Sequence, residues 1–394
     1  MKYSGKYTET FDFIGTSPAT SIFSGLLFPI LLLFTSCGQN ATKPLSGVSP
    51  VVRILLGETR EAEIRTPGNW YISAGSRRGM GSRMLTVGLS GSGMLINDVE
   101  LNGTDSVEIS TPEGFVWNGR KYRGDLRIVP LKDTLAVIDL LDVESYLYGV
   151  LPAEVSPLWH TEALKAQAVV SRTYALYEVG LARKSGRYFD LYPDTRSQVY
   201  SGPDSESSFT TVAVDSTAGE SLRYDGKVIP AFFHASSGGM TESAETVFGT
   251  YYPYLTAVSS PFCETWKENR WDIAVPVTEL GGLSGCGPSN LPVSASVKSR
   301  TASKRIDSVE FILADGSTNR VSGKDLRSFI GGTKMKSTRA NLSITNGELR
   351  IFGAGYGHGV GMGQWDAQGM ALRNYNYRAI LAYFYPGTSL DRLW

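Results

Sequence analysis

The hydrophobic pattern changes character along the chain. Across residues 51–130, short apolar stretches alternate with polar positions and are broken by Gly, Asn and Asp: VVRILLGE, EAEIRTPG, NWYISAG, MLTVGLSG, MLINDVELNG, SVEISTP and LRIVPL. Such stretches predict the strands of a small antiparallel β-domain. From about Thr134 the apolar strand LAVIDLL leads into a short helix over 142–150 and then a Pro-bounded loop. Ser156-Pro157 and Thr161 signal the start of a long helix. Over 162–180 its projection has no single wide polar face. Leu164, Ala168 and Ala175 line one side, Ala163 and Val170 the other, which predicts burial over most of its surface. Arg172 within it then needs a partner, because an isolated buried cation is very costly.

Beyond the loop of 183–208, Asp225-Gly226, Asp315-Gly316 and Asn346-Gly347 each divide two strand-like stretches. These dipeptides readily take the positive φ angles of two-residue hairpin turns. Short helices are expected over 323–330, 364–372 and 378–385. The expected fold class is α+β: a β-rich accessory domain over 51–130, then a second domain over 131–394 with a buried helix packed on antiparallel strands. An insertion is expected over 259–300. The chain carries no internal repeat and no low-complexity segment.

The beginning of the chain reads as an address. Residues 22–34, IFSGLLFPILLLF, are an apolar run of 13, short of the roughly 20 that a membrane-spanning helix needs. Small residues follow around one Cys, Thr35-Ser36-Cys37-Gly38. The reading is a lipoprotein signal peptide over 1–36, a lipidated Cys37 and a linker over 37–50, with a plain cleaved secretory signal as the alternative. The expected location is the cell envelope, with the chain exported and anchored as a periplasmic or outer-membrane lipoprotein. The 38 Lys and Arg balance the 38 Asp and Glu, so nothing argues for nucleic acid as a partner. With Cys37 lipidated, Cys263 and Cys286 remain, and an oxidising compartment makes a disulfide between them the expected state.

Candidate chemistry gathers at a few positions. Glu154 follows Pro152, with Tyr146, Tyr148 and Trp159 nearby as a wall on which sugars could stack. A carboxyl beside apolar and aromatic groups can keep its proton near neutral pH, as a general acid must. Arg172 could pair with it, but that would favour the carboxylate, so Arg172 is assigned to fixing the loops around the cleft. His234 stands in FFHASSGGMTE, where the turn at Ser236, Ser237, Gly238 and Gly239 is either a substrate-positioning loop, a structural turn, or a serine nucleophile with His234 as base. A serine hydrolase needs a base oriented by a third group, and the G-x-S-x-G elbow is absent. His358 lies in GAGYGHGVGMGQW, where glycines alternate from 353 to 363; neither a dinucleotide nor a phosphate-loop spacing fits, leaving a packing seam or a cleft. Gln198 offers amide donors and an acceptor suited to N-acetyl or hydroxyl groups, or occupies a surface turn. The three histidines, 160, 234 and 358, have no ligand spacing, and the cysteines form no C-x-x-C set, so neither a metal nor a cofactor is expected.

The words YLYGVLPAEV, EALKAQAVVSRTYAL, SQVYSG, HASSGGMTE, PYLTAVSSPFC and GYGHGVGMGQWDAQGMA, in that order between 146 and 371, closely resemble the signature of the SpoIID/LytB family. ILAYFYPGTSL closes the resemblance at 380–390. The resemblance implies a peptidoglycan lytic transglycosylase whose catalytic acid/base is Glu154. It implies that His234, Ser236, Ser237, Thr241, Glu242, His358 and Gln364 line the substrate cleft, to which the chemistry of Tyr146, Arg172 and Gln198 assigns those three as well. Glycan strands, often already stripped of stem peptides, are the implied partner. The LytB branch implies the alternative of a non-catalytic amidase enhancer or glycan-binding lipoprotein, with a cell-wall amidase as partner. Some family members are associated with zinc near this corner through Cys ligands, which HASSGGMTE lacks. One departure stands out: the family usually has Gly after QW or QY, and here it is Asp366.

Overall fold

The structure is a computed structural model describing residues 47–394 except 75, 76, 92, 98 and 103–105. The expected leader, Cys37 and most of the linker lie outside the described residues. Among the described residues no helix is long and apolar enough to cross a membrane. The mixed helices and antiparallel sheets make the fold α+β. Two compact units organise it, one of residues up to 146 with 181–204 and 392–394, the other of 147–180 with 205–391.

In the first unit ten strands between Val51 and Asp142 form one antiparallel sheet. Alternation along Asp125–Pro130 sends Leu126 and Ile128 into the core, as a half-buried strand requires. The run LAVIDLL becomes the strand Leu135–Asp142, paired on one side with Val51–Thr59 and on the other with Asp125–Pro130. It therefore continues the sheet past residue 130, and its unbroken apolar character reflects burial on both faces. Segment 187–191 is tied to the first strand by an ion pair. The Arg53 guanidinium donates to Asp190 Oδ1 at 2.6 and 3.1 Å, and the Arg53 backbone N–H donates to Oδ2 at 3.0 Å.

Helix α1, Val143–Glu154, runs from the first unit's residues into the second's, and α2, Thr161–Lys184, runs from the second's residues back into the first's. The buried-helix expectation for α2 holds. Ala163, Leu164, Ala166, Ala168, Val169, Val170 and Ala175 are all enclosed. Arg172 is fully buried, and its partners are those its burial demands. Its guanidinium donates to the Val214 and Glu220 carbonyls at 3.2 Å each and to Thr217 Oγ1 at 3.4 Å. Val214 lies near the end of α3, Ser208–Ser216, so the cation sits at the negatively charged carbonyl end of that helix.

The rest of the second unit has two cores. One joins α2 to α4 (Ala244–Phe248), α6 (Gln364–Ala371) and α7 (Tyr377–Phe384). The other lies under α5, Gly323–Ile330, and under strands between 270 and 354. Strand Arg270–Pro276 pairs with Glu348–Ala354, and Pro292–Arg300 pairs with Ile306–Leu313. Much of 259–300 is thus woven into a core with later segments. Two of the expected two-residue turns form, Asp225-Gly226 and Asn346-Gly347, each with φ positive at both residues. Asp315-Gly316 departs from expectation. Leu313 and Ser317 still pair, with Leu313 N–H donating to Ser317 O at 2.8 Å, so the loop has three residues and only Gly316 has positive φ.

In the first unit the buried Asp139 accepts from Tyr200 OH at 3.1 Å, and burial pushes its carboxyl up to about 7 from an ordinary 3.8. Its folded value lies above its unfolded one, so its stabilising contribution is full below about pH 4 and is lost as pH rises through about 7. Hydrogen exchange of the 135–142 amides, corrected for intrinsic rates, should show protection falling by on the order of a few kcal/mol over that window. Asp139→Asn should flatten the profile; an unchanged slope in the variant would assign the pH dependence elsewhere.

Candidate functional site

Helix α1 starts on a side-chain cap: Asp142 Oδ1 accepts from the backbone N–H of Glu144 at 3.0 Å and of Ser145 at 3.1 Å. The helix then runs four residues past its expected end, through Pro152 to Glu154. Glu154 is therefore the last helical residue and not part of a loop. Proline fixes φ near the helical value and in this last turn forgoes a single backbone bond, and Val155 N–H still reaches Leu151 O at 3.0 Å. Glu154 is partly exposed. Of the expected aromatic wall, Tyr148 is partly exposed and donates to Asp215 Oδ1 at 2.6 Å.

Tyr146 and Gln198 belong together in the first unit and are fully buried. Tyr146 OH donates to Gln198 Oε1 at 3.3 Å, and its ring lies 5.4 Å from that of Tyr200. Burial takes the Tyr146 ring out of any sugar-stacking surface, and Gln198 occupies no surface turn. The Gln198 Nε2 is buried without a hydrogen-bond partner.

Trp159 starts an aromatic series instead. Its ring meets Trp365 edge-on at 4.7 Å, and Trp365 stacks at 5.3 Å and 5° on Trp266. The neighbouring His160 N–H donates to Gln368 Oε1 at 3.0 Å. The segment that follows Glu154 is thus fastened to α6 by both a ring contact and a hydrogen bond.

The first turn of α6 also holds the Ser236–Gly239 corner. Asp366, fully buried, accepts from Ser237 N–H at 2.9 Å, Ser237 Oγ–H at 2.7 Å and Ser260 Oγ–H at 2.5 Å. Burial raises its carboxyl above the ordinary range, while these donors work in the opposite direction. Ser237 Oγ accepts in turn from Gly239 N–H at 3.0 Å, and Ser236 Oγ donates to Asn269 Oδ1 at 2.8 Å. Gly238 has φ +73°, and a Cβ there would sit 2.7 Å from the Ala354 carbonyl, so this turn tolerates only glycine. Arg305, buried, donates to the Ser237 carbonyl at 3.0 Å and braces the corner from the opposite side. Asp366 and Arg305 are the residues sequence reasoning missed; the only signal was the departure from Gly at 366.

Neither histidine is arranged as a base for these serines. His234 Nδ1 faces the Val360 carbonyl at 3.2 Å and must carry the proton, whereas His358 Nδ1 accepts from Val360 N–H at 3.0 Å. Burial holds His234 well below its ordinary range, and burial with the nearby Arg305 guanidinium brings His358 to about 4. Both rings are neutral at neutral pH, with centroids 5.6 Å apart. Thr241 is buried and accepts from Val258 N–H at 2.8 Å. Glu242 is buried and accepts from Ser303 Oγ–H at 2.6 Å and Ser243 N–H at 2.9 Å. Gln364 opens α6, with Nε2 buried and unpartnered.

Two cavities flank this constellation. Gly238 and Gly239 line one of about 1030 Å³, along with Trp266. Glu242 and His358 line another of about 430 Å³. The expected disulfide is absent: Cys263 and Cys286 are free thiols. Cys263 is buried beside Ser237, 3.9 Å from its Oγ, whereas Cys286 packs against the strand core and accepts from Asn319 Nδ2 at 3.4 Å. The two thiols thus sit among different neighbours, Cys263 at the serine corner and Cys286 against the strand core. Among the described residues no group of three or more His, Cys, Asp and Glu could hold a metal ion.

The sequence is similar to those of several known proteins. Residues 132–224 match the SpoIID family, described as stage II sporulation protein. The chain is 36% identical over 305 residues to an uncharacterised protein of Brachyspira hyodysenteriae, covering 76% of this chain and 79% of that protein. It is 32% identical over 291 residues to the amidase enhancer of Bacillus subtilis, covering 62% of this chain and 40% of that longer protein. It is 27% identical over 267 residues to stage II sporulation protein D of Bacillus amyloliquefaciens, covering 64% of this chain and 75% of that one.

The corner's dependence on one carboxylate is measurable. Asp366→Ala orphans a buried N–H and two buried hydroxyls, and should lower the unfolding free energy by about 3 kcal/mol or more. Ser237→Ala removes one hydroxyl and should cost about 1 kcal/mol. Denaturant titration giving equal losses for the two variants would show that Asp366 is not the hub.

Proposed function

The chain belongs to the SpoIID/LytB family, and on that footing we propose that it is a peptidoglycan lytic transglycosylase acting through Glu154. The observation that carries this reading is the placement of one partly exposed carboxyl at the end of α1, followed at once by a segment bound to the Trp365–Trp266 stack. As the general acid, Glu154 would donate a proton to the oxygen linking N-acetylmuramic acid to N-acetylglucosamine. The resulting carboxylate would accept the proton of the muramic C6 hydroxyl as that oxygen attacks C1, closing a 1,6-anhydro ring. One acid/base group therefore serves both halves of the reaction, unlike hydrolysis by two carboxyl groups.

The surrounding residues support this assignment by what they are occupied with. Ser236 and Ser237 spend their hydroxyls on Asn269 and Asp366, and neither is hydrogen-bonded to His234. That argues for positioning and against a serine nucleophile. The carboxyl groups of Glu242 and Asp366 are buried and accept from neighbouring serines, whereas Glu154 is partly exposed.

A second reading is favoured by a specific finding, the 32% identity to a protein named amidase enhancer. In that reading the chain binds glycan strands and stimulates a cell-wall amidase without cutting the strands. Glu154→Gln separates the two. It should preserve fold and glycan binding while activity on peptide-free strands drops at least about a hundredfold, the usual contribution of a positioned acid–base group. Full cleavage by the variant would remove Glu154 from the chemistry. Absence of cleavage by the unmodified protein, with amidase stimulation that Glu154→Gln leaves intact, would favour the enhancer.

A further inference from the structure

The smaller cavity, of about 430 Å³, takes its walls from several segments of the second unit. Arg305 lines it, and this residue is only 2% exposed. One of its nitrogens, Nη2, donates to the Ser237 carbonyl at 3.0 Å and to the Met240 carbonyl at 3.5 Å. The other two, Nε and Nη1, are buried with no acceptor. A guanidinium taken out of water with two donors unused is costly. An acceptor that reaches Arg305 from the cavity therefore gains what the fold leaves unmet.

The rest of the lining repeats this preference for negative charge. Helix α5 enters the wall with its first turn: its cap Ser322 and Lys324 line the cavity, as do Arg327 and Ser328 one turn on. The start of a helix carries partial positive charge and suits an anion. Arg327 gives Nε and Nη2 to the Met335 and Lys336 carbonyls at 3.0 and 3.2 Å, so neutral acceptors hold its charge in place. Lys324 is exposed. Two carboxylates, Glu242 and Asp307, line the same cavity, and neutral donors already engage both. Glu242 accepts from Ser243 N–H and Ser303 Oγ–H, and Asp307 accepts from Ser299 Oγ–H at 2.6 Å. Three cations thus face two carboxylates, and the helix end adds to the excess.

A carboxylate accepts hydrogen bonds in one plane, whereas a phosphate group accepts from all sides. Here the donors Thr246, Arg305, Lys324 and Ser328 come from three segments around one space. We infer that this cavity binds a phosphate group, with Arg305 as its principal partner and the start of α5 as its second. A space of this size matches small-molecule sites, which run from about 300 to 1,000 Å³, and leaves room beyond a bare ion. The phosphate is therefore expected as an ester on a compact polar body, a polyol or a sugar. Free phosphate shares this chemistry, so the test must separate the two sources. The site stands apart from the glycan reading. Because Arg305 also holds the Ser237 carbonyl, one side chain ties its ligand to the corner that Asp366 fastens.

Titration calorimetry on the full chain, with glycerol phosphate, inorganic phosphate and acetate as probes, reads binding directly. Isotope-labelled histidine rings, followed by magnetic resonance, report where it occurs. His358 lines the cavity within the field of Arg305, whereas His160 is exposed on the segment after Glu154. Glycerol phosphate should bind at one site, about threefold or more tighter than inorganic phosphate, and acetate at least about tenfold more weakly than either. The His358 signal should move and saturate with the same constant while His160 stays. Arg305→Lys, which keeps the charge and loses the fork, should weaken binding at least about tenfold. If that variant does not fold, Lys324→Gln at the exposed rim decides, with a loss of about two- to fivefold. A response that rises without saturating would overturn the inference, as would saturation that moves His160 and leaves His358 in place. Unchanged affinity in the folded variants would detach the binding from this cavity. Acetate binding as tightly as phosphate would assign the cavity to carboxylates instead. Inorganic phosphate binding as tightly as its ester would overturn the ester as ligand.

Discussion

A single buried carboxylate, Asp366, carries much of the second unit's organisation. An ionised group removed from water is tolerable only where donors replace its hydration, and Asp366 draws three: the backbone and side chain of Ser237 and the side chain of Ser260. That requirement joins the start of α6 to two loops at once. The next helix residue back, Trp365, binds the same corner through its N–H to the Ala235 carbonyl at 3.0 Å. Its ring then separates Trp159 from Trp266. The segment after Glu154, the serine corner and one wall of the large cavity are therefore fixed by one helix turn.

The polar network around the corner suits a scaffold better than a reactive centre. Every serine hydroxyl there is committed, the two histidines are neutral with opposite ring nitrogens protonated, and Arg305 spends its reach on the Ser237 carbonyl. Such a network rigidifies because breaking any member leaves a buried group unpaired. What it holds in place are backbone and aromatic surfaces, among them the Trp365 ring between Trp159 and Trp266.

Legibility in the sequence followed the range of the interactions. Helix α2 and helix α5 were readable because their apolar spacing and caps are local, as with Ser322 accepting from Asp325 N–H. The Asp225-Gly226 and Asn346-Gly347 turns were readable for the same reason, whereas at Asp315-Gly316 the partner strand's register added a residue to the loop. Glu154 was misplaced into a loop because Pro152 reads as a helix breaker, although a last turn can absorb it. Tyr146 and Gln198 looked like surface chemistry, but Tyr146 is buried against Gln198, 52 residues later, and the neighbouring Tyr200 ring. The cysteine pairing failed since counting thiols says nothing of their surroundings: Cys263 lies at the serine corner and Cys286 against the strand core. Asp366 was noticed as a departure, but its three donors come from segments more than a hundred residues earlier in the chain.

In the proposed reaction one carboxyl, that of Glu154, breaks a glycosidic bond without water entering the product. Digestion of peptide-free glycan strands in water enriched in heavy oxygen, followed by mass spectrometry, tests it directly. The account predicts unlabelled fragments ending in 1,6-anhydromuramic acid, each lighter by one water than a hydrolytic product. Labelled reducing ends would establish hydrolysis and contradict the mechanism, and intact strands after prolonged incubation would contradict the cleavage itself.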